Sequence, residues 1–296
     1  MPPPHFGRLL AATDLSAPAR HAADRAALIA RELGAPLDLL HVASTAPFEK
    51  LRQLVADIPY DAPARVLESA RADLDELAAV LQRHHGVAAN VQIASGPLLK
   101  ELMASAEAGS ADLLVLGARG NSFMRHLLLG STAERMVRKT TRPMLVVKQP
   151  PHEPYRTILV PVDFSPYSVT ALDNARRLAP AAGIVLLHAF EVPFEGKLQY
   201  AGVDDELIHR YRIAARQEAL QRLRELRDAA GLPADATRLL VVHGDPSRTI
   251  VEQEQEQDCD LIVMGKHGEN VVEDLLLGSV TKHVLVESQC DVLVSV

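Results

Sequence analysis

The sequence predicts two α/β domains in tandem, each a parallel sheet with helices on both faces. Three observations carry this. The chain repeats itself: Ala111-Asp112-Leu113-Leu114-Val115-Leu116-Gly117 reads again as Cys259-Asp260-Leu261-Ile262-Val263-Met264-Gly265, and Leu127 to Ser131 returns as Leu275 to Ser279, both at an offset of 148 residues. A period that long marks a duplicated domain rather than a solenoid repeat. Short uninterrupted Val/Ile/Leu runs alternate with helical apolar periods, the pattern of strands buried on both sides. The length, 296 residues, suits two domains better than one.

The elements follow in order. Arg8 to Thr13 reads as a strand. Ala17 to Leu33 reads as a helix stopped by Gly34, with Pro36 beyond. Leu37 to Val42 is a second strand. Ala62 to His85 keeps a helical period up to Gly86. Val87 to Ala94 alternates as a strand. Pro97 to Ala108 is a helix with proline suited to its first turn. Leu113 to Leu116 is a buried strand, Ser131 to Lys139 a helix and Met144 to Val147 the closing strand. The second copy places strands near 157–162, 184–189, 238–242, 261–264 and 292–296. Domain boundaries are expected at 1–148 and 155–296, joined by the linker Gln149-Pro150-Pro151-His152-Glu153-Pro154, which its prolines make stiff and non-helical.

Composition narrows the function. Hydrophobic residues are 48% and charged residues 23%, with net charge −7, values that exclude a disordered or collagen-like chain and argue against a nucleic-acid partner. No tryptophan is present and aromatics are 4%, a poor supply of stacking platforms for single strands. No apolar run approaches the roughly 18 residues of a membrane helix. Met1 to Gly7 lacks a signal pattern, and two cysteines suit a reducing compartment, so a cytoplasmic location without membrane contact is expected.

In such sheets ligands bind beyond the carboxyl ends of the strands, where the winding reverses. Asp14, Val42 and Gly117 all fall at strand ends. Gly117-Ala118-Arg119-Gly120 is followed after nine residues by Gly130-Ser131, and Gly265-Lys266-His267-Gly268 after nine residues by Gly278-Ser279. Glycines with access to positive φ let backbone approach a ligand, and a helix start favours phosphate. Ser131 and Glu134 have capping-box spacing. The pattern is neither a Walker loop nor the dinucleotide fingerprint. A plain turn with a capped helix is the competing reading, favoured less because both copies keep the spacing.

These motifs, with Ala12-Thr13-Asp14-Leu15-Ser16 and Pro161-Val162-Asp163-Phe164-Ser165, Leu39-Leu40-His41-Val42 and Arg142-Pro143-Met144-Leu145-Val146-Val147, resemble the universal stress protein family over nearly all of both halves. The resemblance implies a five-stranded Rossmann-like (adenine nucleotide alpha hydrolase-like) domain in each half, ATP as cofactor with Mg²⁺ on its phosphates, and a homodimer acting with a regulatory protein partner. Carried over, Asp14 and Val42 would face adenosine, while Gly117, Gly120, Gly130, Ser131 and Thr132 would hold ribose and phosphates. The second set would be Asp163, Ala189, Gly265, Gly268, Gly278, Ser279 and Val280, with Ala189 departing from the family's valine. Arg119 and His267, at equivalent loop positions, would touch phosphate or be solvated.

Other residues have plainer readings. Asp14 and Asp163 could also be turn formers. His41 and His188 read as satisfied core histidines. His84-His85 reads as a charge partner for a helix end. No metal-ligating spacing appears. No catalytic residue stands out: there is no nucleophile elbow, no His-Ile-Gly-His, no Ser-Gly-Gly loop. A nucleotide-dependent stress-response module with little turnover is therefore expected, the alternatives being a slow ATPase or nucleotidyl-transfer enzyme, or a dimerisation module with vestigial loops. Residues 1–148 carry 17 Lys and Arg against 15 Asp and Glu, and the remainder 14 against 23. The first loop adds Arg119 and Arg125, the second Lys266, Glu269, Glu273 and Asp274. The first half is thus expected to be the better site for anionic ATP.

Overall fold

The computed structural model describes residues 5–43, 61–120, 129–192, 204–268 and 277–296. They form two compact units, Met1–Pro154 and Tyr155–Ser295. The first unit runs β1 (Leu9–Ala12), α1 (Ala17–Leu33), β2 (Leu37–Ala43), α2 (Ala62–His85), β3 (Ala89–Ser95), α3 (Leu98–Ala108), β4 (Leu113–Gly117), α4 (Ser131–Lys139) and β5 (Met144–Val147). The second runs β6 (Thr157–Pro161), α5 (Pro166–Leu178), β7 (Gly183–Phe190), α6 (Asp205–Ala229), β8 (Thr237–His243), α7 (Pro246–Glu256), β9 (Leu261–Gly265), α8 (Ser279–Glu287) and β10 (Asp291–Ser295).

Within the first unit the strand order is β3-β2-β1-β4-β5, and within the second β8-β7-β6-β9-β10. Every pairing in each unit is parallel, with Ala12 level with Leu40 on one side and Leu116 on the other. The winding therefore reverses between β1 and β4, and again between β6 and β9. Right-handed crossovers put α1 and α2 on one face of the first sheet and α3 and α4 on the other. The uninterrupted apolar strands are the result: Leu113, Val115, Leu145, Val146, Ile262, Val263, Leu293 and Val294 are fully buried.

Helix ends obey local chemistry. Ser16 caps α1, its side chain accepting from the Ala19 N–H. Gly34 (φ 62) and Gly86 (φ 72) end α1 and α2 in the left-handed conformation, donating to the carbonyls of Ala30 and Gln82. His85 Nε2 lies 3.2 Å from Asp24 Oδ1 and ties the end of α2 to α1. One expectation is corrected: Pro97 is the extended N-cap of α3 (ψ 116), not part of its first turn. Gly96 (φ 153) carries the bend that brings the chain into the helix.

The repeated aspartate of Ala111-Asp112 and Cys259-Asp260 is a fastener. Asp112 accepts from the N–H groups of Gly7 (2.8 Å) and Arg8 (2.9 Å). Asp260 accepts from those of Arg156 (2.7 Å) and Thr157 (3.2 Å). Each secures the entry of the unit's first strand. Buried Asp38 on β2 is neutralised by Arg8 Nε at 2.7 Å and receives Asn90 Nδ2 at 2.9 Å, so its burial leaves no lone charge.

Candidate functional site

Each reversal point opens into a cavity of about 300 Å³. The first gathers Asp14, Val42, Gly117, Arg119, Gly120, Gly130, Ser131 and Thr132. The second gathers Asp163, Ala189, Gly265, His267, Gly268, Gly278, Ser279 and Val280. Every residue singled out in the sequence as a ligand candidate thus lines one of two cavities, at equivalent places. Arg125, Glu269, Glu273 and Asp274 lie outside the described residues.

The helix starts are exposed to these cavities without a side-chain cap. Gly130 (ψ 148) and Gly278 (ψ 145) occupy the N-cap positions of α4 and α8, and neither end has a side-chain cap hydrogen bond. The expected capping box is therefore absent. Ser131 is the first helical residue, one position too late to cap, and the Glu134 carboxylate accepts from Arg138 Nη2 instead (2.8 Å). The first N–H groups of both helices, which carry the positive end of the helix dipole, have no partner built into this position by a cap.

The loop glycines are required for a different reason than expected. None of Gly117, Gly120, Gly265 and Gly268 has positive φ. What demands glycine is close approach. A Cβ on Gly120 would stand 2.5 Å from Asp14 Oδ2, and one on Gly268 would stand 3.0 Å from Asp163 Oδ2. A Cβ on Gly117 would meet the Pro18 carbonyl oxygen at 3.1 Å, and one on Gly265 the Tyr167 Cβ at 2.9 Å. The loop is thereby laid directly against the carboxylate that follows the unit's first strand by two residues.

Positive φ appears instead at Leu15 and Phe164, both at 64°. The left-handed region costs a non-glycine residue roughly 1–2 kcal/mol, and the cost recurs in both units right behind the carboxylate. The turn is held by side chains. Asp14 Oδ1 accepts from the Ser16 N–H (3.1 Å), and Thr13 Oγ1 from the Leu15 N–H (3.0 Å). Asp163 Oδ1 accepts from the Ser165 N–H (3.0 Å), from Ser165 Oγ (2.6 Å) and from Ser168 Oγ. Ser168 Oγ also receives the Asp163 N–H at 3.0 Å. The aspartates are turn formers and cavity residues at once: Oδ1 holds the turn, and Oδ2 faces the glycine loop.

His41 Nδ1 lies 2.9 Å from the Thr13 carbonyl and His188 Nδ1 2.7 Å from that of Val162, which makes both braces between adjacent strand ends. Burial pushes the His188 pKa below the ordinary value, and the Arg222 guanidinium adds to the effect. That guanidinium stacks 3.9 Å over the Phe164 ring, which itself packs against His188 with centroids 4.6 Å apart. Burial pushes the Cys259 thiol up to about 12, so it is held protonated at neutral pH. Cys290 is also buried.

Several lining residues escaped the sequence reading: Thr13, Leu98 and Leu102 in the first cavity, and Ser168, Pro246, Ile250 and Thr281 in the second. Thr281 Oγ1 donates to the Gly265 carbonyl at 2.9 Å. The repeat gave no signal for Ser168 and Thr281 because Ala19 and Ala133 stand at the matching places. Among the described residues no group of three or more His, Cys, Asp or Glu side chains is gathered in a way that could hold a metal ion. No helix among them is long and apolar enough to cross a membrane.

Each unit is therefore a Rossmann-like α/β domain with a cavity at its reversal point. The sequence profile of the universal stress protein family matches residues 5–148 and again 154–295. The chain belongs to the universal stress protein family and carries its domain twice. It is 34% identical over 143 residues to a universal stress protein of Methanocaldococcus jannaschii, covering 47% of this chain and 81% of the relative. It is 30% identical over 199 residues to one of Mycobacterium tuberculosis, covering 62% of each. The crystal structure of a universal stress protein from Archaeoglobus fulgidus superposes with a TM-score of 0.70 at 20% identity, covering 97% of both chains, a likeness of fold.

Proposed function

We propose that each cavity binds ATP and that the protein is a cytoplasmic, nucleotide-dependent regulatory module of the stress response, working as a homodimer with a protein partner. The observation that carries the reading is the pair of helix starts, Gly130-Ser131 and Gly278-Ser279, which lack side-chain caps and open into the cavities. A phosphate accepting from those N–H groups would take the place of the missing cap. The rest of each cavity fits a nucleotide. The carboxylates of Asp14 and Asp163 offer acceptors for ribose or base donors at the other end. Leu40, Val42 and Leu102, or Leu187, Ala189 and Ile250, offer apolar surface to a base.

Mg²⁺ would be carried by the phosphates and water, with few protein ligands. Ser131 and Ser279 line the cavities at the helix starts and would offer hydroxyls to a phosphate or its cation. Among the described residues neither cavity presents an aligned base and nucleophile of the kind efficient phosphoryl transfer needs, so ATP is read as a regulatory ligand with slow turnover.

The test is direct. The purified protein is denatured, the released nucleotide identified by mass and chromatography, and the conversion of added ATP to ADP followed over hours. Bound, unconverted ATP is expected. Rapid turnover would replace the reading with an enzyme, and the absence of any nucleotide and any binding would replace it with an interaction module.

A further inference from the structure

The two cavities are built on one plan yet differ where phosphates would lie. Resting on the reading of each cavity as an adenine-nucleotide site, we propose that they divide their selectivity: the first discriminates nucleotides by phosphate number through Arg119 and Thr132, and the second does not.

The shared parts are the glycine loop, the uncapped helix start and the serine that opens it. These supply both cavities with backbone N–H donors for one phosphate group. The first cavity adds two donors. Arg119 is exposed and lines the cavity. Its guanidinium offers a fork of N–H groups matched to phosphate oxygens. Thr132, the second residue of α4, also lines the cavity and brings a hydroxyl beside the free N–H groups.

The second cavity replaces both. Val280 stands where Thr132 does and has nothing to donate. His267 stands where Arg119 does, but it is only 7% exposed and its ring packs edge-on against Tyr167 with centroids 5.8 Å apart. Lys266, the one cation nearby in the loop, is 3% exposed. The Thr281 hydroxyl is occupied by the Gly265 carbonyl. Each phosphate beyond the first brings another negative charge, which the first cavity meets with a guanidinium and for which the second has no exposed cation among its described lining residues. The charge of the halves, 17 basic against 15 acidic residues and 14 against 23, pushes the same way.

ATP, ADP and AMP are titrated calorimetrically, with and without Mg²⁺, into wild-type protein, Gly130→Val and Gly278→Val, with melting curves to confirm folding. With the second cavity blocked, affinity is expected to fall at least tenfold from ATP to AMP, equivalent to about 1.4 kcal/mol. With the first blocked, the three nucleotides are expected to bind within about threefold of one another. Should either glycine variant not fold, the double variant Arg119→Ala/Thr132→Val in the intact chain serves: the component that prefers ATP is expected to disappear while the other remains. Equal phosphate dependence at both cavities, or a steeper one at the second, overturns the division while leaving nucleotide binding intact. Absence of binding by all three nucleotides in the wild-type protein overturns the nucleotide reading and this inference with it.

Discussion

A single carboxylate oxygen sets the shape of each loop. Because Asp14 Oδ2 lies 2.5 Å from where a Cβ of residue 120 would fall, Gly120→Val must push the carboxylate or the loop aside. We expect at least a tenfold loss of ATP affinity at the first cavity by calorimetry, with the melting temperature little changed. Unaltered affinity in a folded variant would reduce the loop to a plain turn. Ser168 acts one step further back by fixing Asp163. Ser168→Ala is expected to weaken binding at the second cavity severalfold, and Ala19→Ser to have no such effect at the second cavity. His188 gives a pH signature. Its folded pKa lies below the ordinary value near 6.5 because burial disfavours the charged ring. Its contribution is therefore full above pH 6.5 and is lost as pH falls below that, since the unfolded chain takes up the proton first. Between pH 7.5 and 5.5, the urea midpoint of His188→Asn should fall less than that of the wild type.

At the scale of elements, the ends matter more than the middles. A Cβ on Gly34 would touch nothing within 4 Å, yet φ is +62°. Gly34→Ala therefore isolates backbone strain, and a loss of about 1 kcal/mol in chemical denaturation is expected. Asp112→Ala and Asp260→Ala remove fasteners from β1 and β6. Each should cost about 1–3 kcal/mol, since hydrogen bonds to a charged acceptor are the stronger kind. These ends also show what a sequence can and cannot reveal. Gly34 and Gly86 were legible because a glycine after an apolar period has one common use. Ser131 and Glu134 misled because capping-box spacing says nothing of register: the helix begins one residue later than a serine cap needs, and Gly130 takes the cap. The loop glycines do not take the positive φ expected of them: the sequence shows that a side chain is missing but not whether φ or a neighbour forbids it. Ser168, which differs between the copies, had no repeat to announce it.

Over the whole molecule the charge is uneven, and salt should expose this. Affinity at a cavity assisted by Arg119 is expected to fall as ionic strength rises, because screening weakens the attraction between guanidinium and phosphate. At the second cavity, set in a half with 14 basic and 23 acidic residues, screening relieves repulsion and affinity should hold or rise. Titration of Gly278→Val and Gly130→Val at about 50 and 300 mM salt, either side of the range where the Debye length crosses 10 Å, checks both signs. The fold and the motif residues that line the two cavities were legible because duplication printed each motif twice. Of the differences that separate the cavities, Val280 for Thr132 and the uneven charge were legible, but burial was not: His267 could meet phosphate as the sequence reads, and both it and Lys266 are buried.

The reversal point has a consequence for how each unit is made. Leu9 pairs with Leu37 on one side but with Leu113 on the other, so the cleft is closed by a contact that spans about a third of the chain. Such long-range pairings are slow to form, since loop-closure entropy is lost before the pairing repays it. We expect the cleft to be completed only after the folding transition state is passed. A ligand seated there should act as a brake on unfolding: saturating ATP is expected to lower the unfolding rate in stopped-flow denaturation and to leave the refolding rate unchanged. Equal acceleration of refolding would mean that the two halves of the cleft meet early.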